Sequence, residues 1–227
     1  MQNDPQMGNF VQTNSFAALM DSLMTVAHEE THGYDYDYAI WGSSFAYFVN
    51  ADWQPQVPYH EGFPRGEILG MLDDQSCEMY ADTYLTGVQG TYDYMELLDE
   101  LNCYITGLAA LALVGEYEPW GISARDGALA LMYFLELYLE KARFEYPTFY
   151  SAAAADDHMV DLVLIQWLRL HFFLDISYAF PNLGINDHAI ENHVHDLEHQ
   201  TEIELFVGRE LQASPCLLPG DPYQPPF

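Results

Sequence analysis

The chain has 227 residues, half of them hydrophobic and 15% aromatic, which is enough for one sizeable domain with a buried core. Its 35 acidic residues and only 6 basic residues give a formal charge of −29 at pH 7. Nucleic acids and anionic membrane surfaces are bound by clusters of Lys and Arg, so we expect neither of them as a partner.

The first predicted element is a helix over residues 15–33, preceded by a polar segment, residues 1–14, that is predicted to be flexible. Asn14 or Ser15 is expected to cap the start of this helix, and Gly33 is expected to end it. A tyrosine-rich stretch follows, and residues 40–53 are predicted to contain a small β element. The proline-rich loop that comes next is long enough to border a substrate cleft.

From Gly66 onward the apolar residues recur with a helical period. Ser123 with Asp126 predicts a variant of the capping box, and Asp187 is expected to cap the last helix. The sequence therefore predicts a mainly α fold, with one helical domain over residues 15–212 and a Pro-rich tail over residues 213–227. The predicted helices of this region are residues 66–87 (one or two helices), 92–114, 123–143, 156–178 and 187–211.

The three cysteines, Cys77, Cys103 and Cys216, are too widely spaced for a CxxC metal pattern. Buried thiols and one disulfide with a free thiol are both open interpretations. The start of the chain lacks the basic and then apolar stretch of a signal peptide. The longest apolar run, residues 109–115 with its flanks, is expected to be too short to span a bilayer.

The end of the first predicted helix carries an HExxH pattern, formed by His28, Glu29 and His32. Side chains four residues apart lie on one face of a helix, so both imidazoles can reach one metal ion. Glu29 is rotated by about 100° from His28 and can reach a water bound to that ion. Apolar Met24 and Val26 precede the motif, which places it on a partly buried helix. The pattern predicts a zinc site with Glu29 as general base.

A catalytic zinc ion takes three protein ligands and keeps one position open, so a third ligand is required. Residues 33–42 contain no histidine, which leaves a glutamate from a later helix. Glu78 and Glu100 are the candidates. Glu100 lies on an apolar helix face, where a carboxylate is costly unless it is paired or bound to a metal, whereas Glu78 lies on a more polar face. This difference favours Glu100, with a salt bridge to an arginine as the competing interpretation.

Peptide hydrolysis also requires a hydrogen-bond donor for the developing oxyanion, usually a Tyr or a His. Tyr34, Tyr84 and Tyr104 are candidates, and Tyr84 is the one we select. Asp99, next to Glu100, could orient one of the histidine ligands.

Four of the nine histidines fall within residues 188–199. His195 and His199 have the spacing of a metal pair, but they lie away from the apolar stripe of their predicted helix, so a solvent-exposed face is expected. His193, beside that stripe, could bind an oxyanion. His171, in an apolar context, is expected to be a core histidine with its hydrogen bonds satisfied.

Part of the chain resembles a group of uncharacterised bacterial HExxH proteins that are often exported. In that group a D-E-x-x-A-Y-x-x-G pattern follows the HExxH helix. Here Asp99 begins the pattern, and Cys103 stands where the group has Ala. The likeness covers roughly residues 25–110. The matching segments are residues 63–68, 83–87 and 98–107.

This resemblance implies a zincin-like helical domain in which His28, His32 and Glu100 bind zinc and Glu29 is the base. It also implies an extracellular or periplasmic location, which the acidic composition suits. It implies no particular substrate, because such proteins resemble the gluzincin peptidases only at the site.

The expected function is therefore a zinc-dependent hydrolase of the gluzincin type, a metallopeptidase with Zn²⁺ as its cofactor and a peptide or protein as its substrate. The alternative is a non-catalytic metal-binding or interaction protein that retains a zincin site. Metal analysis separates the two, because a site closed by four protein ligands favours a structural role.

Overall fold

The computed structural model describes residues 7–40, 42–118 and 121–211, and its architecture is mainly helical. The strands β1 (Ser44–Ala46) and β2 (Gln56–Pro58) pair antiparallel, with Phe45 opposite Val57. The prediction of a mainly α fold with a small β element is confirmed. The helices are α1 Met7–Phe10, α2 Phe16–Tyr38, α3 Glu78–Tyr84, α4 Tyr94–Val114, α5 Ala124–Glu145, α6 Pro147–Ala154, α7 Asp157–Ser177, α8 Asp187–Val194 and α9 Leu197–Val207, with 3-10 helices at Arg65–Met71, Gln89–Thr91, Gly115–Tyr117 and Pro181–Leu183.

Helix α2 begins where the sequence predicts but ends later. The side chain of Ser15 accepts a hydrogen bond from the backbone of Ala18 and caps the helix. The predicted end at Gly33 is wrong, because the helix continues to Tyr38 and Gly33 does not adopt the left-handed backbone of a C-terminal glycine. A glycine inside a helix costs about 1 kcal/mol. The burial of Asp35 in the following turn shows that tertiary contacts hold the extension in place.

The two ends of the chain lie only partly within the described structure. Residues 7–10, in the segment predicted to be flexible, form α1, which packs against α2. Residues 1–6 and the predicted Pro-rich tail, residues 213–227, lie outside the residues that the structure describes.

Helix α5 lies at the centre of the core and is buried along almost its whole length. Helices α4, α6, α7, α8 and α9 pack around it. The predicted capping box at its start is wrong: Ser123 makes no capping hydrogen bond, and the carboxylate of Asp126 instead accepts hydrogen bonds from the backbone of Ile185 and Asn186. Asp126 therefore ties the start of α5 to the loop before α8.

The predicted last helix is two helices in the structure. Asp196 interrupts it, because its side chain accepts a hydrogen bond from the backbone of Glu198 and caps α9. Asp187 does not cap α8 as predicted, since its carboxylate pairs with the guanidinium of Arg125. Gly208, with a φ of 70°, ends α9 in the left-handed conformation.

Helix α4 is the most apolar element of the fold. Residues Tyr94–Tyr117 are long and apolar enough to cross a bilayer by length and composition alone, although the sequence predicts that residues 109–115 with their flanks are too short. Most of this segment is buried against α2, α5 and α7, which accounts for its apolar composition. Cys103 on α4 and Cys77 are both buried free thiols, and Cys216 lies outside the described residues.

Replacing Arg125 with methionine is expected to destabilise the fold by about 3–5 kcal/mol, because it leaves the buried carboxylate of Asp187 without its partner. The Arg125 Nε and Asp187 Oδ2 atoms are 2.6 Å apart, and both side chains are almost fully buried. Urea unfolding measures the effect. Lys141→Met is the control, since Lys141 pairs with the exposed Glu145 and should change stability by less than about 1 kcal/mol. Equal losses in the two variants would contradict this assignment.

The carboxyl group of Glu136 on α5 is fully buried, and neither oxygen has a hydrogen-bond partner among the described residues. Burial and the nearby charge of Asp196 raise the pKa of Glu136 well above its usual range. The folded state therefore holds this proton more tightly than the unfolded chain. Stability is lost as the pH rises above the unfolded value of about 4.3, up to the raised folded pKa.

Glu136→Met is therefore expected to stabilise the protein by about 1–3 kcal/mol at pH 7.5, which is the usual penalty of a buried unpaired group. The gain should be smaller near pH 4, where Glu136 is largely protonated in both states and only the burial of the neutral acid remains. Urea unfolding at the two pH values measures the difference. A gain of the same size at both values would show that packing, rather than ionisation, is responsible.

Candidate metal centre

The candidate site lies where α2 crosses α4. The two helices are antiparallel, with Met24 beside Gly107, His28 beside Tyr104, and His32 beside Asp99. Gly107 permits the close crossing, because a Cβ atom there would lie 3.1 Å from the Met24 side chain and 3.2 Å from the Met24 carbonyl oxygen. The crossing brings one face of the HExxH helix against the face of α4 that carries Glu100.

His28, His32 and Glu100 meet at this crossing. The Nε2 atoms of His28 and His32 are 3.1 Å apart. The Oε2 atom of Glu100 lies 3.6 Å from His28 Nε2 and 3.5 Å from His32 Nε2. Three ligands bound tetrahedrally at about 2.1 Å would be separated by similar distances. All three side chains retain 12–19% of their surface, so the site is accessible to water.

The Oε2 atom of Glu100 is buried and makes no hydrogen bond within the part of the chain that the structure describes. A buried carboxylate oxygen without a partner is costly, and a bound cation would satisfy it. Burial alone raises the pKa of Glu100, but the two histidines lower it to about 2. Burial alone lowers the pKa of His32, but Asp99 and Glu100 raise it to about 10. The site therefore favours positive charge between its carboxylates.

Asp99 orients His32. Its Oδ2 atom lies 2.7 Å from the Nδ1 atom of His32, and the carboxylate is almost fully buried. When a metal ion replaces the Nε2 proton, an Nδ1–H bond to this carboxylate leaves the lone pair of His32 Nε2 directed towards His28 and Glu100. Ligand histidines in metal sites usually have such a partner on their second nitrogen. The geometry agrees with the role expected for Asp99.

A second group of possible ligands, His32, Asp99 and Cys103, shares residues with the first. Cys103 is fully buried, and burial raises the pKa of its thiol well above the usual range. The thiol therefore stays protonated, whereas metal binding requires the thiolate. The group formed by His28, His32 and Glu100 is the better cation site, because its side chains are partly open to solvent and it does not depend on a fully buried thiol.

Two of the three candidate tyrosines, Tyr84 and Tyr104, lie beside this group. The charge of Glu29 contributes to the raised pKa of Tyr104, although burial is the largest cause. The Tyr104 ring packs edge-on against His28, with centroids 4.8 Å apart. The Tyr84 hydroxyl is hydrogen-bonded to that of Tyr104 at 2.9 Å. Tyr84 thus reaches the site through Tyr104, and only one of the two hydroxyls can donate in their shared bond.

Two other candidates have different surroundings. Glu78 is exposed in the first turn of α3 and does not belong to either group of possible ligands among the described residues. The ring of Tyr34 stacks on Phe48 and Tyr38, with centroids 5.2 and 6.4 Å away. Neither residue contacts the histidine pair in the described part of the chain.

The second histidine cluster forms separate contacts. His193 Nδ1 lies 3.3 Å from Asp73 Oδ2, and its Nε2 lies 3.0 Å from Asp74 Oδ2. His199 Nε2 lies 3.5 Å from the same Asp73 oxygen, and its side chain is only 13% exposed. The expectation of an exposed face is therefore wrong for His199, which packs edge-on against Tyr133. None of these partners belongs to the metal centre, so the geometry does not support an oxyanion role for His193 there.

His171 is a core histidine, as predicted, but only one of its nitrogens is satisfied. Its Nδ1 atom bonds to the carbonyl oxygen of Trp167 at 2.8 Å, whereas the buried Nε2 atom has no hydrogen-bond partner among the described residues. Burial lowers the pKa of His171 to about 4, which keeps the ring neutral. His195 packs against it and remains partly exposed, as predicted.

The chain matches no protein-family model, no curated protein and no solved structure. The interpretation of the site therefore depends on its own residues and geometry.

Proposed function

We propose that the chain binds one zinc ion through His28, His32 and Glu100 and that it is a zinc-dependent hydrolase acting on peptide bonds. The observation that supports this most strongly is the convergence of two imidazole Nε2 atoms on the buried Glu100 Oε2 atom, which makes no hydrogen bond among the described residues. Two histidines and one glutamate form the usual ligand set of a catalytic zinc site that keeps a position for water.

Each residue of the site has its own role in the proposed reaction. Zinc, when bound, supplies a Lewis acid that activates water and polarises the substrate carbonyl group. Glu29 takes the proton of the attacking water and passes it to the leaving amine. Asp99 holds the His32 ring in place through the 2.7 Å contact with Nδ1. The contact of Asp99 with His32, and the position of Glu29 next to His28 in the sequence, support these roles.

The hydroxyls of Tyr84 and Tyr104 provide the oxyanion donor. Burial and the charge of Glu100 raise the pKa of Tyr84 well above its usual range, so this phenol keeps its proton. Because Tyr104 contacts His28 directly, the hydroxyl pair stands beside the ligand histidines. A preorganised donor of this kind is usually worth about 10²–10³ in rate.

The substrate is a peptide or protein, and the site of action is extracellular or periplasmic. The formal charge of −29 supports a partner that is neither nucleic acid nor an anionic membrane surface. The acidic composition also suits a secreted protein.

Metal analysis followed by a hydrolysis assay tests the proposal. The purified chain should bind one zinc ion at micromolar or lower concentration and should cleave members of a peptide library, with loss of cleavage when a chelator is added. A chain that binds no zinc at micromolar concentration would contradict the proposal. Zinc binding without cleavage of any peptide would instead favour the non-catalytic metal-binding protein.

A further inference from the structure

A buried polar network is centred on the side chain of Asn102, which lies on α4 one turn after Asp99. Asn102 Nδ2 donates hydrogen bonds to Asp35 Oδ2 at 3.0 Å and to the Phe48 carbonyl oxygen at 2.9 Å. Its Oδ1 accepts from Gln166 Nε2 at 3.1 Å and from Arg169 Nη1 at 2.6 Å. An amide side chain has two donors and two acceptor positions, and all four are used here. The orientation of this fully buried amide is therefore fixed.

Asp35 connects the network to the metal centre. It lies on α2 one turn after His32 and is buried. Burial, together with the charge of Asp99, raises the pKa of Asp35 well above its usual range. Its two oxygens accept hydrogen bonds from the Phe48 backbone and from Asn102. Asp35 is thus held from two sides, one turn after the histidine that Asp99 orients.

Arg169 on α7 fixes the other end of the network. Besides Asn102, it donates to Thr106 Oγ1 at 3.1 Å. Burial lowers the pKa of Arg169 to about 10, and the charge of Asp35 opposes this effect. The charge of Arg169 is thus coupled to that of Asp35. The network therefore joins three helices, α2, α4 and α7, behind the ligands.

We propose that Asp35, Asn102 and Arg169 are positioning residues for the metal centre. Their hydrogen bonds fix α2 against α4 one turn beyond the contact of His32 with Asp99, and this holds the His32 imidazole towards Glu100. This inference rests on the proposed function, since it assumes that His28, His32 and Glu100 bind the metal. Partners of ligand histidines typically change metal affinity by 10–100-fold when they are altered.

The same network ties the β1–β2 hairpin to the metal centre. Phe48 follows β1, and both polar groups of its backbone bond to the network: the N–H to Asp35 and the carbonyl to Asn102. Substitutions other than proline at Phe48 leave these backbone groups in place, so the side chains of Asp35 and Asn102 are the positions to alter.

Two variants test the proposal through zinc affinity, measured by competition with a chromophoric chelator, and through the visible spectrum of the Co²⁺-loaded chain. Asn102→Leu removes all four hydrogen bonds of the amide. Asp35→Asn keeps nearly the same shape, but its amide nitrogen replaces one carboxylate oxygen. A donor would then face either the Phe48 N–H or the Asn102 Nδ2 group, which are themselves donors. Each variant should bind zinc about 10–100-fold more weakly and should shift the Co²⁺ bands. Folded variants with wild-type affinity and spectrum would overturn the proposal.

Asn182→Leu is the matched control. Asn182 also donates to two backbone carbonyls, those of Glu118 at 2.7 Å and Gly115 at 3.4 Å, but its bonds lie outside the network. This variant should lose stability and keep the zinc affinity and the Co²⁺ spectrum of the wild type. A loss of affinity as large as that of Asn102→Leu would show a general effect of destabilisation and would overturn the proposal.

A measurement on the wild-type chain keeps the proposal testable if the variants do not fold. In a ¹H–¹⁵N NMR titration with zinc, the side-chain amide signal of Asn102 should move, and that of Asn182 should not. A stationary Asn102 signal in a chain that binds zinc would overturn this inference alone. A wild-type chain that binds no zinc would contradict the proposed function and, with it, the inference.

Discussion

Replacement of Glu29 by glutamine is expected to abolish peptide hydrolysis while the chain continues to bind zinc. Glutamine has nearly the shape of glutamate but cannot accept a proton from the attacking water. General acid–base catalysis typically contributes about 10²–10⁴ in rate, so kcat should fall by that factor. Zinc affinity should stay within about twofold, because Glu29 is a base and not one of the three ligands. Cleavage rates on peptides selected from the library, and zinc titration, measure the two effects.

Glu30→Gln is the matched control for this experiment, because it makes the same chemical change at the next position of the same helix. It should leave both zinc binding and hydrolysis near wild-type values. Hydrolysis at the wild-type rate in Glu29→Gln would contradict the assignment of the base. Loss of zinc from Glu29→Gln would mean that Glu29 is itself a ligand.

The second large effect, a loss of zinc binding, is expected when Glu100 is replaced. Glu100→Gln should weaken zinc binding by well over 100-fold, more than the 10–100-fold typical of residues that only support a ligand. The amide lacks the negative charge that the cation requires, and its nitrogen would face two histidines. Glu78→Gln, at the exposed alternative candidate, should leave zinc affinity unchanged. Weaker zinc binding in Glu78→Gln, with unchanged binding in Glu100→Gln, would show that Glu78 on α3 is the third ligand.

Local rules in the sequence predict much of the fold. Ser15 caps α2 as expected, and the apolar periods locate α4, α5 and α7 to within a few residues of their predicted bounds. The errors arise where tertiary contacts decide the outcome. Gly33 remains helical because the next turn is held by Asp35, which bonds to Asn102 across the helix crossing. No local sequence pattern indicates a hydrogen bond between residues so far apart in the chain.

The charged residues at helix ends show the same limit. Asp126 and Asp187 both look like helix-capping residues in the sequence. In the structure, Asp126 instead binds the backbone of the loop before α8, and Asp187 pairs with Arg125 from α5. The break between α8 and α9 has a local signal in Asp196, but the apolar stripe runs across it and predicts one continuous helix.

The candidate site is predictable to a similar extent. The spacing of His28 and His32 predicts that both face one ion, and the apolar neighbours of Glu100 predict that its carboxylate needs a partner. The structure brings these three residues together, which the pattern alone cannot do because it contains no information on how α2 and α4 cross. Asp35 and Asn102 were not predicted as site residues. The signal for Asp35 was its position one turn after His32, which the wrong helix end concealed.

Anomalous scattering at the zinc edge, from a crystal grown with zinc, tests the central claim most directly. We predict one strong peak about 2.1 Å from the Nε2 atoms of His28 and His32 and at a similar distance from a carboxylate oxygen of Glu100. A peak beside Glu78 or between Asp73 and His193, or no peak at the α2–α4 crossing, would contradict the proposed metal centre.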